Sequence, residues 1–152
     1  MESVVIVNHL HSSCNGSLSI LSRAASNHPH PFPDIKYYDT DKSSLASILA
    51  VFKQVNPGIV IHTISPPPRS STEAEFQHIN VVGTKNVIED CQMTEVKALV
   101  YASSGSVPQR DLTQSLDNVD ETWPLNTGPA QKDAYQRSKV RFPMTIPLLL
   151  SD

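Results

Sequence analysis

Short runs of β-branched and apolar residues alternate with longer stretches of helical period along this chain, and that alternation limits its fold more than anything else in it. Ile59-Val60-Ile61 is fully apolar, stopped behind by Asn56-Pro57-Gly58 and ahead by Pro66-Pro67-Pro68. Ala98 to Ala102 is a second such run, ended by Ser103-Ser104-Gly105-Ser106. Runs without polar alternation suit strands buried on both faces, as in a parallel sheet. Between them, Phe76, Ile79, Val82, Val87 and Ile88 recur at helical spacing within about Thr72 to Met93. Leu45, Ile48, Leu49, Phe52 and Val55 mark an earlier amphipathic helix, entered from the polar segment Asp39 to Ser44. Ile35 to Tyr38 reads as a strand, and the Pro-broken segment Ser26 to Pro33 as loop. Strand and helix in alternation predict an α/β fold with a mostly parallel sheet. Ile59–Ile61 and Leu99–Ala102 are expected to be adjacent, buried and parallel.

Bulk properties remove several function classes. With 12 basic and 15 acidic residues the net charge is -3, so a nucleic-acid binder's basic field is absent. No stretch is long and apolar enough for a membrane span. The N-terminus has an acidic residue and no basic segment before its apolar run, which argues against a signal peptide. Cys14 and Cys91 lack metal-ligand spacing and read as reduced thiols of an intracellular, cytoplasmic protein. His28 and His30 lie in the Pro-rich loop and read as solvated, His62 reads as structural, and no metal site is expected.

Four stretches in order carry a family likeness: Tyr37-Tyr38-Asp39-Thr40-Asp41; Ile59 through Pro67 with its His62-Thr63-Ile64-Ser65-Pro66-Pro67 segment; Asn80-Val81-Val82-Gly83-Thr84-Lys85-Asn86; and Leu99 to Ser104 followed by Tyr135-Gln136-Arg137-Ser138-Lys139. Together with Asp120-Glu121-Thr122-Trp123-Pro124, they resemble the extended short-chain dehydrogenases/reductases of the 3β-hydroxysteroid dehydrogenase type, and within them the sterol-4α-carboxylate 3-dehydrogenase branch and its fungal relatives. The likeness is close over about Ile35 to Lys139 and loose over Val4 to Arg23.

The resemblance implies hydride transfer between NAD or NADP and a secondary alcohol or ketone, with a sterol or terpenoid as substrate. It makes Tyr135 the acid/base, Lys139 the group that tunes it and holds the nicotinamide ribose, and Ser104, rather than Ser103, the hydroxyl that orients the substrate oxygen. A nearby ammonium favours a phenolate, and residues four apart on a helix share a face. The three side chains are expected to converge at the carboxyl ends of the strands. The resemblance also assigns Asp41 to the adenine, Asn80 to the vicinity of the active site, and Ser65 to the chain's passage past the cofactor. Each has a plainer alternative: Asp41 as a helix N-cap, Asn80 as a structural hydrogen-bonder, Ser65 as a turn residue before proline. Ser103 and Ser104 could likewise simply start a turn.

A dinucleotide fold of this kind opens with a strand and a Gly-rich turn. The five glycines, Gly16, Gly58, Gly83, Gly105 and Gly128, are too far apart to form one. On propensity Val4–Val7 suits a strand, but the family register makes Val5–His11 the end of the first helix and Ser17–Ser22 the second strand. In that register Ser22 stands where NAD-preferring members carry an acid, and with Arg23 it tilts towards NADP. The fold expected is thus a partial Rossmann-like, doubly wound parallel sheet lacking its first strand and Gly-rich turn. Residues 1–139 form an incomplete dinucleotide-binding domain, 140–152 an irregular tail, and the substrate domain is missing.

Three functions fit: a sterol or terpenoid 3β-hydroxysteroid oxidoreductase, a non-catalytic remnant associating with a full-length paralogue, or a fungal secondary-metabolite reductase. The family also points to the endoplasmic-reticulum surface as a location. The chain as written is expected to bind NAD(P) poorly.

Overall fold

The computed structural model describes residues 2–13, 15–28, 31–41, 44–109, 113, 115–120, 122–127 and 131–141. Cys14, His30 and the tail from 142 onward lie outside them. Helix α1 spans Glu2–Ser13 and leads into strand β1, Ser19–Ser22. Its β-branched run Val4–Val7 is helical, as the family register required and propensity did not. Strand β2, Lys36–Asp39, follows a 3₁₀ turn at Ala25–Asn27. Helix α2, Leu45–Val55, ends where Asn56 takes a left-handed conformation (φ 48°) and donates its N–H to the Phe52 carbonyl at 2.7 Å, a conformation Asn tolerates better than most residues.

Strand β3 is Ile59–His62 and β4 is Ala98–Tyr101. They run parallel, with Ile59 opposite Ala98 and His62 opposite Tyr101. Strands β1 and β2 form a second parallel pair, Ser19 opposite Lys36 and Ser22 opposite Asp39. Among the described residues each sheet has two strands, and none joins the pairs. The element order is that of an α/β parallel-sheet fold.

Between β3 and β4 a long helical run starts at a capping box. Thr72 Oγ1 accepts the Glu75 N–H at 3.2 Å, and the Glu75 carboxylate accepts the Thr72 N–H at 2.7 Å. The run passes through α3 (Glu73–Glu75), a π-helical stretch at Phe76–Val82, and α4 (Gly83–Met93). The π stretch corrects the expectation for Val82, which is 38% exposed, while Asn80 is 1% exposed. The Gly83 N–H reaches back to the His78 carbonyl, an i to i−5 bond that widens the turn and rotates the following positions.

The core lies where α2 packs on α4 over the strands: Ile48 and Phe52 meet Val87, Ile88 and Cys91, with Val96 and Leu99 beneath. Cys91 is a buried free thiol. Expected burial on both faces of β3 and β4 is not found. Ile59, Ile61 and Val100 are 65%, 39% and 53% exposed, because the helices that pack on these strands cover only the face bearing Val60 and Leu99.

Asp90 is fully buried on α4, and neither carboxylate oxygen has a hydrogen-bond partner among the described residues. Burial, and secondarily the Glu89 carboxylate, pushes its carboxyl up to about 6 from 3.8. The folded chain therefore holds this proton longer than the unfolded chain as pH rises. Stability is greatest below the unfolded value and falls through the interval up to about 6. Asp90→Ala is expected to flatten that decline and to add about 1–3 kcal/mol at about pH 8, the cost of an unsatisfied buried group. Urea unfolding across the pH range checks it; an unchanged slope would mean that Asp90 is solvated.

Candidate active site

Helix α5, Ala134–Val140, begins at Asp133, whose carboxylate accepts the Gln136 N–H at 2.8 Å. Asp133 is thus an N-cap of the preferred kind. The helix places Tyr135 and Lys139 one turn apart. Lys139 is only 2% exposed. Its Nζ donates to the carbonyl of Ala102, the residue after β4, at 3.0 Å, and lies 5.2 Å from the Tyr101 ring centroid and 6.0 Å from that of Tyr135. A buried ammonium requires such partners, and the aromatic faces supply part of what water would. The half-buried Tyr135 ring meets Phe76 edge-on, centroids 5.5 Å apart.

Two other groups lock α5 in place. Asn80, on the π stretch, donates from Nδ2 to Ser138 Oγ at 2.8 Å, and Ser138 Oγ donates to the Tyr135 carbonyl at 2.6 Å. Asn80 therefore holds α5 through Ser138, and its Oδ1 has no partner among the described residues. Arg137 pairs with Glu73 at 2.6 Å and donates to the carbonyls of Gln131 and Lys132.

The two serines after β4 behave differently. Ser103 Oγ donates to the Lys139 carbonyl at 3.4 Å, while Ser104 Oγ lies 2.9 Å from Ser106 Oγ and accepts the Ser106 N–H at 3.3 Å. Ser103 and Lys139 thus meet at the carboxyl end of β4 with Tyr135 beside Lys139, while Ser104 heads the turn after that strand and its hydroxyl is engaged by Ser106.

The remaining candidates lie along the other strand ends. Ser22 closes β1 and its Oγ accepts the Ala24 N–H at 3.3 Å. Exposed Arg23 follows, near enough to Glu75 to help hold that carboxyl below its ordinary range, after the larger effect of the Thr72 hydrogen bonds. Ser65 donates to the Pro66 carbonyl at 3.3 Å. Asp41 is exposed, and its carbonyl accepts the Ser44 N–H at 3.0 Å. The N-cap position of α2 belongs to Ser44 and not to Asp41.

Sequence reasoning missed a net of glutamines. Gln131 and Gln136, 2% and 1% exposed, donate to the carbonyl and side-chain oxygen of Gln109, fastening α5 to the turn after β4. Polar side chains, Gln109 and Gln131 in the loop and Gln136 on α5, gave no signal of burial. His62 is structural as expected: 4% exposed, with Nε2 2.9 Å from Thr84 Oγ1.

The side chains present suit a nicotinamide ribose and a substrate oxygen near Tyr135 and Lys139. Among the described residues they do not suit a pyrophosphate, which calls for close backbone N–H groups at a helix start. Gly16 lies between α1 and β1, past the wrong end of the helix, and Gly58 and Gly105 lie in turns bordering β3 and β4.

Parallel strands with a Tyr/Lys helix at their carboxyl edge define a Rossmann-type α/β fold. Solved structures of that kind superpose well. Thermus thermophilus UDP-glucose 4-epimerase, in complex with NAD, gives a TM-score of 0.80 at 22% identity, over 94% of this chain and 45% of that one. The Thermotoga maritima UDP-glucose 4-epimerase gives 0.77 at 14% identity, over 95% and 46%. The chain belongs to the 3-beta hydroxysteroid dehydrogenase/isomerase family, whose model matches residues 23–142. Among curated proteins, the decarboxylating sterol-4-alpha-carboxylate 3-dehydrogenase of Schizosaccharomyces pombe is 39% identical over 67% of this chain, and the human one 32% identical over 71%. The chain spans only 28% and 27% of those two proteins. No helix among the described residues is long and apolar enough to cross a membrane.

Proposed function

We propose that this chain carries the proton-transfer half of an NAD(P)-dependent oxidoreductase acting on the 3-hydroxyl of a sterol or related terpenoid. The observation that supports it is the buried Lys139 ammonium held between the Ala102 carbonyl and the Tyr101 and Tyr135 rings. In this reading Tyr135 exchanges a proton with the substrate oxygen, Lys139 supports the phenolate, and Ser104 orients the oxygen by a hydrogen bond. The cofactor supplies the hydride when bound; the protein positions groups and moves one proton. Ser65 borders the cofactor's path, Asp41 faces its adenine, and Asn80 acts through Ser138 as a positioning residue. Arg23 beside Ser22 favours the 2′-phosphate of NADP, where an acid would favour NAD. The same reading places the protein in the cytoplasm, with the endoplasmic-reticulum surface as the source of an apolar substrate.

The test is a chimera in which residues 35–139 replace the matching stretch of the Schizosaccharomyces pombe relative. It is expected to oxidise a 4α-carboxysterol. Tyr135→Phe should lower kcat by about 10²–10⁴ and Ser104→Ala by about 10², with Ser103→Ala near wild type. A folded chimera whose activity survives Tyr135→Phe overturns the reading.

A further inference from the structure

Ser104 heads the turn after β4 and Tyr135 lies on α5, so the placement of one side chain relative to the other depends on how the turn is held against the helix. Successive hydrogen bonds build the turn. The Ser106 N–H donates to Ser104 Oγ at 3.3 Å, the Val107 N–H to the Ser104 carbonyl at 3.2 Å, and the Gln109 N–H to the Ser106 carbonyl at 3.0 Å. Ser104 and Gln109 are thus the two ends of one hydrogen-bonded unit. Asn126 braces it, with its N–H on the Val107 carbonyl at 3.3 Å and its Nδ2 on the Gln109 carbonyl at 3.1 Å. Among the described residues, two ties run from Gln109 to α5. Its side-chain oxygen accepts Gln136 Nε2 at 2.8 Å. Its carbonyl accepts Gln131 Nε2 at 2.7 Å, and Gln131 Oε1 in turn accepts the Asp133 N–H at 3.2 Å. The ties reach the helix at its N-cap, Asp133, and at Gln136, and Tyr135 lies between those two points.

Gln131 and Gln136 are both buried. Ordering a Gln side chain costs more rotamer freedom than ordering Leu or Ile, and a buried amide must be bonded to offset its lost hydration. Apolar side chains would join turn and helix without either cost, but apolar contact is non-directional, whereas a bonded polar network selects one arrangement. We propose that Gln109, Gln131 and Gln136 are positioning residues that set the Ser104 hydroxyl relative to the Tyr135 phenol. The proposal rests on the oxidoreductase reading, in which those two groups handle the substrate oxygen. A displacement of about 1 Å at such a site can cost about 10²-fold in rate.

The test uses Gln136→Met, which keeps the length of the side chain and removes its amide. In the full chain, amide exchange at Val107 and Gln109 is expected to quicken about tenfold, with exchange at Phe52 and Cys91 in the α2–α4 core unchanged. Equal quickening in the core would mean a general loss of stability and would overturn the proposal, as would no change at the turn. In the chimera of the Schizosaccharomyces pombe relative that carries residues 35–139, Gln136→Met is expected to lower kcat about tenfold and to move KM by less than about twofold. Ser104→Ala, which should cost about 10² in the parent chimera, is expected to cost about threefold or less in the Gln136→Met background, because a hydroxyl already out of place has little left to lose. The same cost of about 10² in both backgrounds would show that the glutamines do not place Ser104, and would overturn the proposal. Activity that survives Tyr135→Phe would instead overturn the oxidoreductase reading, and exchange in the full chain would still decide whether the glutamines hold the turn to the helix.

Discussion

Phe52→Ala is expected to leave this chain largely unfolded under conditions in which the parent is folded. Phe52 is 5% exposed and Ile48 2%, and together they form the α2 side of the cluster that, among the described residues, joins α2, α4 and the β3–β4 pair. Truncating a buried Phe costs about 3–5 kcal/mol. A typical domain has about 5–15 kcal/mol in total. Among its described residues this one has two two-stranded sheets, an open cavity of about 1200 Å³ and a buried carboxylate at Asp90 without a partner, all of which place it at the low end. Urea unfolding followed by circular dichroism should show the midpoint reduced by about 1–3 M, or no cooperative transition at all. Val100→Thr is the control. Val100 is apolar and β-branched but 53% exposed, so its replacement should stay within about 0.5 kcal/mol. Equal losses for the two variants would place the core elsewhere than between α2 and α4.

Elements whose signal is local were legible in the sequence. Helix α2 is bounded by a polar entry and by Asn56-Pro57-Gly58, and it runs where its apolar spacing places it. Strands β3 and β4 pair as their composition suggests. Asp133 before α5 marks a start that its side chain then makes. What failed depends on tertiary partners or on backbone detail. Apolar runs at β3 and β4 imply cover on both sides, but Ile59, Ile61 and Val100 face outward, since composition cannot say whether a covering layer exists. The π register that turns Asn80 inward and Val82 outward has no periodic signature, because one extra residue in a turn is invisible to a 3.6-residue count. Val4–Val7 shows propensity overridden by context. At the site, the Tyr135–Lys139 spacing is a helix property and could be read directly, whereas the Asn80–Ser138 grip and the Gln109 net join residues far apart in sequence.

Titrated with NADPH or NADH, this chain is expected to show dissociation constants weaker than about 1 mM, or about −4 kcal/mol. A dinucleotide needs its pyrophosphate neutralised by backbone N–H groups at a helix start, and a Gly-rich turn lets the backbone approach closely enough. None of the chain's five glycines lies near enough to another to build that turn. In the proposed reading the ribose end is better provided, with Lys139 buried beside Tyr135, but one anchored end leaves the rest of a long, flexible ligand to be ordered without return. Turnover should be correspondingly slow, because orientation of hydride donor and acceptor supplies about 7–11 kcal/mol of barrier reduction in well-positioned reactions, and a placed proton donor cannot replace it. Of the two dinucleotides NADPH should bind several-fold more tightly, since the exposed Arg23 guanidinium follows Ser22 at the end of β1 and favours an added phosphate. Arg23→Glu should reverse that preference while leaving NADH binding nearly unchanged. Calorimetry, or quenching of dinucleotide fluorescence, measures both. A micromolar constant for either dinucleotide would show that donors other than a Gly-rich turn hold the pyrophosphate here. A preference unchanged in Arg23→Glu would remove the β1 end from the ribose site.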